Sequence, residues 1–146
     1  MNALVIYDSV YGNTKIIAET IAKELSNNSK AISVSNINTD DLKDINLLIV
    51  GSPINGWRPT EKISKWLTVL GTDKLKNIKA ASFDTRIKVF FHGDAMNKIS
   101  NLLKKVGAEI ITTPECFYVK GSKGPLLEGE IEKAIQWAKN IKNNFK

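Results

Sequence analysis

Apolar residues fall along the chain in two alternating rhythms. Short unbroken runs give way to stretches in which apolar positions recur every three or four residues. Ala3 to Tyr7 is a run of strand length, closed by a turn through Asp8 and Gly12. From Thr14 the spacing becomes helical, with Ile17, Ile21 and Leu25 on one stripe and Ala18 and Ala22 beside it. Ala31, Ile32 and Val34 sit among serines, which predicts a strand at the margin of a sheet. Leu47 to Val50 predicts a central strand closed by Gly51, and the loop after it contains Pro53, Gly56 and Pro59. Ile63, Trp66, Leu67 and Leu70 predict a second helix, with Gly71 at its C-terminal cap. Ile78 to Phe83 reads as a strand. Asp94 to Val106 reads as a helix with Met96, Ile99, Leu103 and Val106 inward, ended by Gly107. Glu109 to Thr113, resuming at Phe117 to Val119, supplies the last strand, and Ile131, Ala134, Ile135, Ala138 and Ile141 mark the last helix.

Strands alternating with single helices predict a doubly wound α/β fold. Right-handed crossovers then build a five-stranded parallel sheet with helices on both faces. Ligands of such sheets bind beyond the carboxyl ends of the strands where the winding reverses, so the loops after the first, third and fourth strands are the candidate site. A chain of 146 residues suits one domain, expected to span residues 1–146. The apolar start lacks a basic leader, and no apolar run approaches the roughly 20 residues of a membrane span. Cys116 is the only cysteine, which excludes an internal disulfide and suits a reducing cytoplasm. The net charge of +6 is evenly spread: residues 1–93 hold 12 basic and 9 acidic groups, residues 94–146 hold 9 and 6. That pattern argues against nucleic acid, which favours a gathered basic stripe, and is compatible with an acidic protein partner.

The first candidate loop, Ser9-Val10-Tyr11-Gly12-Asn13-Thr14, runs straight into a helix whose free N–H groups favour an anion. Singly, Ser9 and Asn13 are ordinary turn and cap residues; together the loop offers hydroxyls, an amide and a glycine curve around a phosphate. The second loop, Ser52-Pro53-Ile54-Asn55-Gly56-Trp57-Arg58-Pro59, presents a large aromatic at the same edge. The helical spacing assigns Trp66, not Trp57, to the inner face of the next helix, which leaves Trp57 for a ligand. Gly51 to Gly56 imitates a nucleoside-triphosphate loop, but Trp57 and Arg58 stand where Lys and Ser or Thr are required. A Gly-x-Gly-x-x-Gly dinucleotide fingerprint is absent after the first strand, and the third strand ends without an acceptor Asp. In the third loop, Asp84 to Gly93, the lone His92 reads as an exposed or capping residue, and Cys116 beyond it as buried packing.

Taken with the strand before it, the Ser9–Thr14 loop resembles the phosphate loop of flavodoxins, Ser/Thr-x-Thr-Gly-Asn-Thr, with Tyr11 as the departure. The alternation of elements and Gly51-Ser52-Pro53 extend the resemblance over essentially the whole chain. The third loop is the least similar segment, although small flavodoxin-domain proteins carry a similar Phe83-Asp84-Thr85-Arg86 and Phe117-Tyr118-Val119. The resemblance implies strand order 2-1-3-4-5 and one flavin mononucleotide (FMN). It implies that Ser9, Val10, Tyr11, Gly12, Asn13 and Thr14 hold the phosphate. Ser52, Pro53, Ile54, Asn55, Gly56 and Trp57, with Asp84, Thr85, Arg86 and Phe91, would hold the rest. Flavodoxins usually place acidic residues in the third loop; Arg58, Arg86 or Lys88 near the flavin would favour its reduced anion and raise its potential. An electron carrier docking on redox proteins, as a monomer or weak dimer, is the expected role. An FMN-dependent reductase of a small acceptor such as a quinone, and a flavin-free interaction module, are the alternatives.

Overall fold

The computed structural model describes residues 1–89 and 92–146. Its strands are β1 (Ala3–Tyr7), β2 (Lys30–Ser33), β3 (Leu47–Pro53), β4 (Lys79–Ile87), β5 (Glu109–Ile110) and β6 (Glu115–Val119); its helices are α1 (Asn13–Leu25), α2 (Glu61–Leu70), α3 (Met96–Lys105) and α4 (Glu130–Asn144). All pairings in the sheet are parallel, in the order β2-β1-β3-β4-β5, with β6 also on β4. The fifth position is thus filled by two segments. Lys79 faces Glu109 while Phe83 faces Glu115, so four residues of β4 match six of the fifth position, and the surplus falls at the break before Pro114.

Strand alternation divides the core between the two faces. Ala3, Val5, Tyr7, Leu47, Ile49, Ala81 and Phe83 lie under α1 and α4, whereas Leu4, Ile6, Leu48, Val50 and Ala80 lie under α2 and α3. Trp66 is half-buried on the second face, as its spacing predicts. Trp137 is buried on the first, with ring centroids 6.1 Å from both Phe83 and Phe117 in edge-to-face contact, so the buried stripe of α4 centres between Ala134 and Ile141.

Two strands run further than their apolar runs predict. β3 continues through Gly51-Ser52-Pro53, paired with Phe83-Asp84-Thr85 of β4, and the Phe83 ring lies over Gly51, where a Cβ would run into it. β4 continues through Asp84-Thr85-Arg86, which the sequence assigns to a loop. Asp84 and Arg86, two apart and so on one side of the strand, neutralise each other in a buried ion pair, while β3 and β6 flank the backbone on both sides. Among the described residues no helix is long and apolar enough to cross a membrane.

Candidate functional site

The carboxyl ends of β1, β3 and β4 open into a cleft of about 500 Å³. At one end lies the Ser9–Thr14 loop. Ser9 Oγ accepts from Gly12 N at 3.0 Å and Lys15 N at 3.4 Å, and Asp8 Oδ1 accepts from Ser9 N at 3.0 Å, which curls the loop onto the first turn of α1. Gly12 stands at φ +98° as the residue before that helix. Among the described residues the N–H groups of Val10, Tyr11, Asn13 and Thr14 have no protein acceptor, leaving a cup of donors at the positive end of α1. Thr14 and Thr85 share a buried hydroxyl–hydroxyl bond of 2.8 Å, which ties the helix start to β4.

The opposite wall is the turn Asn55–Arg58, where Asn55 N donates to Arg58 O at 2.7 Å and Arg58 N to Asn55 O at 3.3 Å. Gly56 at φ +58° and Trp57 at φ +70° make this a type I′ turn, a backbone that a bulky residue rarely adopts. The Trp57 side chain is 61% exposed, away from either core. Its carbonyl accepts from Asp94 N at 3.1 Å and Lys98 Nζ at 3.2 Å, and its backbone packs against Gly93 with no room for a Cβ there. The second and third loops are thereby clasped together.

Arg86, 7% exposed, lies on the cleft side of β4. Its Nε and Nη2 donate to the two carboxylate oxygens of Asp84, at 2.8 and 2.5 Å, and Nη1 lies 3.0 Å from His92 Nδ1. That nitrogen is also 2.7 Å from Gly93 O; Arg86 only donates and the carbonyl only accepts, so Nδ1 makes one of the two bonds. The hydrogen bonds to Asp84 raise the Arg86 pKa against the opposing effect of burial. Asp84 Oδ2 also accepts from Ala95 N and Met96 N, and Asp94 Oδ1 from Asn97 N, so two carboxylates cap α3.

Of the residues expected from sequence, Ser9, Val10, Tyr11, Asn13, Thr14, Pro53, Ile54, Asn55, Gly56, Trp57, Thr85 and Arg86 line the cleft. Gly12 is not in the lining; at φ +98° it turns the loop into α1. Ser52 and Asp84 do not line it: Ser52 Oγ accepts from Thr60 N at 2.9 Å and donates to Pro53 O at 2.7 Å, a brace within the second loop, and Asp84 is wholly buried behind Arg86. Phe91, like its neighbour Phe90, lies outside the described residues. Ile87, Val89, His92, Gly93, Val119 and Ser122 line the cleft without having been expected there. Cys116, expected buried, is half-buried. Among the described residues no three His, Cys, Asp or Glu side chains are placed to hold a metal.

A flavin mononucleotide joins a phosphate to a flat aromatic ring system, and the cleft pairs an uncompensated cup of donors with an exposed indole across about 500 Å³. The residues present fit that group. Residues 4–110 match the family model described as Flavodoxin domain. A flavodoxin of Buchnera aphidicola subsp. Acyrthosiphon pisum (strain APS) is 30% identical, with 84% of this chain and 75% of that one covered. Among solved structures, a flavodoxin from the domain Archaea superimposes with a TM-score of 0.81 at 20% identity, covering 99% of both chains. Oxidised Flavodoxin 2 from Bacillus cereus gives 0.81 at 20%, covering 98% and 99%.

Proposed function

The chain belongs to the flavodoxin family, and from that premise we propose that it is an electron carrier of the reducing cytoplasm, holding one FMN in the cleft between Ser9–Thr14 and Trp57. The observation that carries this reading is the cup of unpartnered N–H groups at the start of α1, opening into the same cleft as an indole that no core claims. Dipoles alone favour an anion there, and the Asn13 amide and the Ser9 and Thr14 hydroxyls add donors. Trp57 offers a flat apolar face that excludes water and adds dispersion contacts to an aromatic ring. When bound, the flavin supplies reversible one- and two-electron chemistry, and the protein's part is binding, orientation and electrostatics.

Arg86 holds a permanent charge on the cleft side, but Asp84 compensates it, so its effect on a bound flavin is that of a fixed dipole rather than a free cation. Val10, Tyr11, Trp57 and Val89 are 61%, 55%, 61% and 53% exposed around the mouth, an apolar rim suited to docking. Arg58, Lys88, Lys98 and Lys120 are exposed on the loops and helix start beside it, which favours a redox partner with an acidic surface.

Titration of the purified apoprotein with FMN, followed by anaerobic reduction under the visible spectrum, tests the reading. One flavin bound per chain, with reduction resolved into two one-electron steps, is expected. Binding with a single two-electron step would move the function to a reductase, and a folded apoprotein that binds no FMN would overturn the cofactor assignment.

A further inference from the structure

The segment between β6 and α4 lies outside the three loops that the winding of the sheet singles out, yet it reaches the same cleft. β6 does not simply end at Val119, which bridges antiparallel to Leu126. Lys120 N donates to Pro125 O at 2.8 Å, Leu127 N to Tyr118 O at 2.9 Å, and Gly124 N closes the tip on Gly121 O at 2.9 Å. Glu130 Oε1 accepts from Tyr118 N at 2.6 Å and pairs with Lys133 Nζ at 3.0 Å, bracing the base. The result is a small hairpin with Ser122 and Lys123 at its tip. The tip leans on the phosphate loop, for a Cβ at Gly124 would lie 2.7 Å from Asn13 Oδ1, and Ser122 lines the cleft together with Ser9 and Thr14.

We propose that this hairpin tip is the outer wall of the phosphate end, where the Ser122 hydroxyl donates to a phosphate monoester and the Lys123 ammonium group offsets its charge. The inference rests on the reading of the cleft as an FMN site. The Ser9–Thr14 loop provides N–H, hydroxyl and amide donors but no cation, and a dianion held only by neutral dipoles keeps its charge uncompensated. Lys15, next in sequence, runs along exposed α1 with its Nζ 3.8 Å from Glu19 Oε1. Lys123 stands between a residue that lines the cleft and one that touches Asn13, so the braced backbone delivers a positive charge to that end. The tip thus selects phosphorylated flavin over the same ring and ribityl chain without phosphate.

Fluorescence titrations with FMN and with riboflavin, on the wild-type chain and on Ser122→Ala, Lys123→Gln and the double variant, test the assignment. FMN affinity is expected to fall about tenfold in the double variant, the size of losing a hydrogen bond to a charged group, while riboflavin affinity stays unchanged. The salt dependence of FMN binding should flatten with Lys123→Gln. Equal losses for both flavins, or no loss for FMN, overturn the proposal. Inorganic phosphate supplies an arm that needs no flavin: it should raise the thermal midpoint of the wild-type apoprotein and raise that of the double variant less. If the wild type binds no FMN but shows this difference, the carrier reading fails and the tip assignment stands. Equal protection of both proteins, or protection of neither, overturns the tip assignment.

Discussion

Asp84 makes four hydrogen bonds from a wholly buried position, two with the Arg86 guanidinium and two with the backbone N–H groups of Ala95 and Met96. One carboxylate therefore neutralises the cation beside the cleft and caps the helix that follows it. Asp84→Asn leaves that cation buried with half its partner, and is expected to cost about 3 kcal/mol in urea denaturation. Arg86→Leu should cost less, because Asp84 keeps two amide donors and the positive end of α3; a larger loss for Arg86→Leu would show that the cap is not what holds the carboxylate. The pKa of Arg86 is raised in the fold, so the stability it contributes is complete below the ordinary arginine value and fades only as pH rises through the higher folded one. Arg86 should accordingly add no pH dependence to stability across the neutral range. None of this was legible from sequence, where Asp84-Thr85-Arg86 reads as a polar loop: two charges interrupt the apolar run, and only the tertiary pairing shows that they cancel. Gly51 was legible as the end of an apolar run but not as the seat of the Phe83 ring. Gly51→Ala should destabilise by about 1–3 kcal/mol through overpacking, read as a lowered thermal midpoint.

Elements marked by strong periodicity were readable to within a few residues. The helices after β1 and β3, the peripheral β2 and the break in the fifth position all follow from apolar spacing and its interruptions. The hairpin at 119–127 was not, because Gly121, Gly124 and Pro125 carry the composition of any loop and its pairing partners are too short to show alternation. The 55–58 turn lies between these cases: Pro and Gly announced a turn and Trp57 a ligand contact, while the type I′ geometry was invisible. That geometry suits Gly56 and strains Trp57. Trp57→Gly should stabilise the apoprotein by about 0.5–1 kcal/mol, because the mostly exposed indole contributes little packing to offset the relief of φ +70°. The same change should weaken FMN binding. Thermal denaturation of the apoprotein beside a flavin titration separates the two effects; a destabilised apoprotein would mean that the indole packs more than its exposure indicates, and unchanged binding would remove it from the ligand wall.

At the scale of the molecule, the net charge of +6 says little by itself, since it is spread along the whole chain. What matters is which charges remain free at the mouth of the cleft. Asp84 is buried against Arg86, Asp94 caps α3 through Asn97 N and lies 3.7 Å from Arg86 Nη2, and Asp8 is turned onto Ser9 N. Arg58, Lys88, Lys98 and Lys120 are exposed, and of these Lys98 is tethered only to a carbonyl and Lys88 only to the face of the Tyr118 ring. A field of positive sign at the mouth should therefore exceed what the overall charge suggests, and it can be read without knowing the natural partner. Oxidation of the reduced FMN-loaded protein by ferricyanide, an anion, should slow as ionic strength rises, whereas oxidation by hexaamminecobalt(III), a cation, should accelerate. Lys88→Glu and Arg58→Glu should each weaken both trends, since electrostatic steering acts on the encounter rate. The opposite signs of salt dependence would mean that the exposed carboxylates Glu61 and Glu128 dominate the mouth, and that its partner presents a basic surface instead.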